Sequence, residues 1–127
     1  MNNKLLDGFG ELLIKNVRDR SLGISMNIVK RTTPNQLDLE RYKVFENLTD
    51  DEKEAVCDLL SETITDTLYN FLEMFEENPD KMKLMLVDDD KLTDMVDISE
   101  KMGSEIACYD DDEGWIQRYS EIGRFVL

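Results

Sequence analysis

Residues 49–79 read TDDEKEAVCDLLSETITDTLYNFLEMFEENP, and their reading decides the fold. Val56, Leu59, Leu60, Ile64, Leu68, Phe71, Leu72 and Phe75 recur at three- and four-residue steps, the period of one helix face. Thr49 and Glu52 have the spacing of a capping box, in which each side chain satisfies the other residue's free amide. Asn78 and Pro79 supply the stop. The pattern predicts one helix over 50–77, about 42 Å long at 1.5 Å per residue. Thr63, Thr65 and Thr67 lower its intrinsic propensity, so burial of the apolar stripe has to carry it.

Upstream, Leu5, Leu6, Phe9, Leu12, Leu13 and Val17 mark another amphipathic face. Gly8 and Gly10 weaken it by about 1 kcal/mol each relative to alanine. Leu22, Met26 and Val29 continue the pattern past Gly23. TTPNQ at 32–36 breaks it, and Asn35 suits the cap of a short helix carrying Leu39, Tyr42 and Phe45. Downstream, MKLMLV at 82–87 fits a short strand or a helical turn, since periodicity does not separate the two at that length. DDDK reads as a loop. Residues 93–102 read as a helix with Met95, Val96, Ser99 and Met102 inward, ended by Gly103. EIACY at 105–109 fits an extended segment to pair with 82–87. Residues 114–122 form a last helix with Trp115, Ile116, Tyr119 and Ile122 on one face and Gly123 as its stop. The expectation is one mainly α domain over 1–127. It is a compact helical bundle around the long central helix, with at most a minor strand pair, 82–87 and 105–109.

A chain of 127 residues can bury a core without covalent staples. Twenty-nine acids against fifteen bases leave a net charge of −14, unevenly spread. Residues 1–43 carry eight bases and five acids, 44–72 one base and eight acids, and 73–114 four bases and fifteen acids. Such a field repels nucleic acid and anionic membrane and attracts basic partners. No apolar run reaches membrane-spanning length, and the start lacks the charged-then-apolar pattern of a signal peptide, so a cytoplasmic protein is expected. Cys57 and Cys108 form no CxxC, and with no histidine there is no zinc signature. Both read as buried, reduced thiols.

DDDEGW suggests a calcium loop, but its register fails. With Gly114 sixth, position one is Tyr109 and position twelve is Ser120, neither an acid. Residues 88–99 fail as well, lacking the glycine. Without histidine, a G-x-S-x-G elbow or a phosphate loop, nothing points to an enzyme, and no metal or cofactor is expected. In VRDRSL, Arg18, Asp19 and Arg20 should point to different sides of a helix, with one arginine pairing to Asp19 or to the acidic bulk. What remains is the acids themselves. Asp110, Asp111, Asp112 and Glu113 abut Tyr109 and Trp115. Asp88, Asp89 and Asp90 form a second cluster, and Glu73, Glu76 and Glu77 a third. Charge around an aromatic anchor is how inhibitors of basic proteins combine fast association with a buried centre. Trp115 serves either as that anchor or as the packed base of the acidic turn. The alternative is that the acids only solvate loops.

Three blocks carry a family resemblance: VRDRSL at 17–22, NFLEMFEEN at 70–78 and GSEIACYDDDEGWIQRYSEIGRF at 103–125. They resemble small bacterial immunity proteins of polymorphic toxin and contact-dependent growth inhibition systems. The sequence departs from that pattern at Ser99–Met102, where a serine–aspartate–glycine–leucine turn is expected. The resemblance implies a cytoplasmic, mostly helical, non-catalytic protein that neutralises one cognate basic toxin domain, typically a nuclease. The partner-binding residues expected are Asp110, Asp111, Asp112, Glu113 and Trp115, with Asp88, Asp89 and Asp90 second. An acidic nucleic-acid mimic and a helical adaptor domain are the alternatives.

Overall fold

The N-terminal periodicity folds without a break. In a computed structural model, which describes residues 3–99, 101–107 and 114–122, helix α1 (Asn3–Leu12) runs into a π-helical stretch, Leu13–Asp19, and then into α2 (Arg20–Val29). Arg31 ends this rod in the left-handed region, at φ 64°. Its guanidinium donates to the carbonyls of Leu39 and Tyr42 at 2.5 and 2.9 Å, tying the following segment down. That segment is α3 (Gln36–Arg41) and a 3₁₀ turn, Lys43–Asn47. The Asn35 side chain accepts from the Leu37 and Asp38 amides, as the cap position predicts. Neither element contains a buried residue.

The capping box forms. The Thr49 hydroxyl accepts from the Glu52 amide at 3.1 Å, and the Glu52 carboxylate accepts from the Thr49 amide at 2.8 Å, holding that carboxyl below its ordinary pKa. The helix it opens, α4 (Asp50–Glu77), has the bounds the sequence predicts. Cys57, Ser61, Leu68 and Leu72 are its buried face. Helix α2 lies against α4, and so does a later 3₁₀ turn, Met102–Glu105. The Met102 amide donates to the Glu76 carboxylate there.

A minor antiparallel pair of strands exists, but its second strand is not 105–109. Strand β1 (Met85–Asp88) pairs with β2 (Lys91–Asp94) in the register Met85 to Asp94 and Asp88 to Lys91. Glu105 instead closes the 3₁₀ turn, and 108–109 lie outside the described residues. The expected helix over 93–102 shrinks to one turn, α5 (Met95–Ile98). Pairing with β1 takes residues 93 and 94, and the Asp94 side chain then caps α5 by accepting from the Val96 amide. Helix α6 (Trp115–Tyr119) is the last described element.

The core joins Leu6 and Ile14 from the first rod to Leu68 and Leu72 of α4, Met95, Met102, Ile106, Trp115 and Ile116. Trp115 lies directly on the backbone of Gly10, where a Cβ would overlap its indole ring, while a Cβ on Gly8 would meet nothing within 4 Å. Two glycines two residues apart therefore respond oppositely to alanine. Gly8→Ala should raise stability by up to about 1 kcal/mol through helix propensity. Gly10→Ala should lower it, since displacing the ring costs roughly 1–3 kcal/mol. Urea denaturation of both variants checks the pair, and equal shifts of one sign would contradict this packing.

Candidate functional site

Asp89 and Asp90 turn the hairpin, both with positive φ, 48° and 69°. That is the requirement of a two-residue type I′ loop, and aspartate tolerates it better than most side chains. Directly opposite residues share a sheet face. Leu86 and Thr93 therefore face inward, and Leu86 packs on the core. Met85, Val87 and Leu92 share the outer face with Asp94, and they are 40%, 67% and 61% exposed. The outer face is thus apolar, which is unusual for a solvated hairpin. Val96, also exposed, follows at the start of α5.

The hairpin is also strongly acidic. From 84 to 99, the aspartates at 88, 89, 90, 94 and 97 face one lysine, Lys91. Lys83 reaches Asp94 at 3.5 Å, while Asp89 and Asp90 take part in no ion pair among the described residues. An exposed apolar face ends in a cluster of carboxylates. Of the expected binding residues, Asp88, Asp89 and Asp90 are the ones found exposed on this surface.

The other expected cluster divides. Asp110, Asp111, Asp112 and Glu113 lie outside the described residues, as do Cys108 and Tyr109. Trp115 has no exposed surface. Phe9 meets it edge-on at 5.8 Å between ring centroids, and among the described residues its Nε1–H has no hydrogen-bond partner. The ring is packed in the core and is not the surface anchor that was one of its two expected roles. The third cluster is partly consumed by structure. Glu73 accepts from the Tyr69 hydroxyl at 2.7 Å, and Glu76 holds the Met102 amide.

Arg18 and Asp19 do not diverge as two successive helical residues should. Both are buried, on the π-helical stretch. The Arg18 Nη1 donates to Asp19 at 2.9 Å and to the Ser120 hydroxyl at 3.1 Å. Its Nη2 donates to Ser61 at 3.2 Å, and its Nε to Thr65 at 3.4 Å. Asp19 in turn accepts from the Ser120 hydroxyl and the Glu121 amide, each at 2.8 Å. Burial lowers the pKa of the guanidinium, and Asp19 opposes that shift. The pair is saturated by the protein's own groups and offers nothing to a ligand. Cys57 is a buried thiol.

Among the described residues, no three histidine, cysteine, aspartate or glutamate side chains are grouped to hold a metal ion. No described helix is long and apolar enough to cross a membrane. No protein-family model matches the chain, and no curated protein or solved structure is significantly similar to it.

Removing Arg18 tests the buried network. Arg18→Ala leaves the Asp19 carboxylate without its cation, held by the Ser120 hydroxyl and the Glu121 amide, and should cost roughly 3–5 kcal/mol in urea denaturation. A loss below about 1 kcal/mol would show that water replaces the guanidinium without penalty.

Proposed function

We propose that this chain is a cytoplasmic, non-catalytic immunity protein that captures and neutralises one cognate basic toxin domain of the nuclease class. The observation that supports it best is the hairpin, whose exposed apolar face of Met85, Val87 and Leu92 lies beside the exposed turn aspartates Asp89 and Asp90, with Asp88 exposed next to them. Apolar surface at the centre of an interface supplies most of the binding energy, while surrounding charge steers encounter and rejects wrong partners. A nuclease must present cations to phosphate, and a protein of net charge −14 suits that surface. The likeness of 17–22, 70–78 and 103–125 to immunity proteins points the same way. Asp110, Asp111, Asp112 and Glu113 belong to the proposal on sequence grounds. A nucleic-acid mimic fits less well, because mimicry has no use for a solvent-facing apolar strand pair.

Affinity capture from the cells that make the protein, at low and moderate salt, tests the reading. One basic protein should be recovered, released by salt and lethal when produced alone. Replacing Asp88, Asp89 and Asp90 together by asparagine keeps the turn, since asparagine also accepts positive φ. It should weaken that complex about ten-fold or more at low salt and flatten its salt dependence. Amide replacement of 110–113 should do the same. Recovery of many DNA-binding proteins would instead indicate mimicry. Unchanged affinity in both variants would sink the electrostatic reading.

A further inference from the structure

Beside the hairpin's outer face lies a groove of about 350 Å³ between α1 and β1. Leu5, Gly8, Phe9 and Leu12 line it from the helix, and Leu86 and Val87 from the strand, with Lys4 the one charged residue among the described residues that line it. Phe9 is held from behind by Trp115, so one wall of the groove rests on the core. Leu12 and Val87 are mostly exposed, which leaves apolar surface at the mouth as well. Gly8 is the informative residue. A glycine weakens a helix interior. At Gly10 the closeness of Trp115 explains it, but at Gly8 a Cβ would meet nothing within 4 Å. Its missing side chain has no packing role within the described fold, and its effect is to keep the groove open.

We propose that this groove seats one large apolar side chain of the captured protein, an aromatic or a leucine flanked by lysines or arginines. The inference rests on the partner-capture reading and names the anchor that reading needs. Charge complementarity selects the flanking residues. Val87, on the groove's wall, leads directly into Asp88, Asp89 and Asp90, so a chain that seats an apolar side chain here carries its neighbours past the carboxylates. A preformed apolar cavity with charge at its edge is the usual form of a hot-spot pocket.

The test uses the full chain and two synthetic peptides of equal charge, acetyl-Lys-Lys-Trp-Lys-Lys-amide and its counterpart with alanine at the centre. Amide chemical shifts are followed at low salt for the wild type, Gly8→Ala and Gly8→Leu. The tryptophan peptide should bind about ten-fold more tightly, a difference of about 1.4 kcal/mol, and shift Gly8, Leu12 and Val87. Gly8→Leu fills the groove. It should abolish that advantage while leaving the alanine peptide's weak binding, and its melting midpoint should be no lower than that of the wild type. Gly8→Ala should keep most of the advantage. If both peptides bind equally and shift only 88–91, the groove is not the seat, although capture by charge survives. Failure of both peptides to bind would overturn both readings. Persistence of the tryptophan advantage in Gly8→Leu would overturn this one alone. So would a wild-type dimer in sedimentation that Gly8→Leu dissolves, since the groove would then belong to a second copy.

Discussion

A guanidinium with no exposed surface sits where three parts of the chain meet. Burying an unpaired charge is among the costliest things a fold can do, so its surroundings are constrained to satisfy it. Arg18 is paired with its neighbour Asp19. The remaining donors reach Ser61 and Thr65 on α4 and Ser120 just after α6. Both residues of the pair lie at the end of the π-helical stretch Leu13–Asp19 and both are buried. One helical rod thus carries a whole buried ion pair on its π-helical stretch.

The rest of the arrangement follows from that junction. With Ser120 and the Glu121 amide fixed to Asp19, α6 is held against the first rod. Trp115, at its start, is then laid on Gly10 and meets Phe9. Arg118, at 2.9 Å from Asp7, adds an ion pair between the same two elements. Phe9 is the side chain that passes this order outward, since it touches the core tryptophan and also walls the groove beside β1. The locked helical frame and the exposed acidic hairpin are thus joined through α1. A rigid frame carrying a preformed apolar surface loses little conformational freedom when a partner docks.

The long helix was legible because its signals agree. Capping box, apolar period and Asn78–Pro79 stop all point to α4, and its bounds match residue for residue. The hairpin was less legible. Asp89–Asp90 is a weaker turn signal than Asn-Gly, so 88–91 reads as an ordinary acidic loop. Nothing in Lys91–Asp94 marks a strand until it is paired with β1. The same short apolar character that made 82–87 ambiguous also lent 105–109 to it as a false partner. The π-helical stretch leaves no mark in a seven-residue pattern of apolar positions. Trp115 was placed on the inward face of its helix by spacing, yet its neighbours in sequence, Asp110 to Glu113, invited a surface role. Burial favoured the spacing. The apolar wall of the groove was visible as periodicity in Leu5, Phe9 and Leu12, but only the fold shows that Gly8 leaves space beside it.

The proposed division of labour is a helical frame locked from within and a recognition surface made by the hairpin and the adjoining face of α1, with the acids of 110–113 beside it on sequence grounds. Hydrogen exchange of the chain alone, and with the basic protein that co-purifies with it, tests this most directly. The account predicts new protection over 85–94 and the first two turns of α1, with the exposed face of α4 unchanged. Protection spread along α4, with the hairpin exchanging as before, would contradict it.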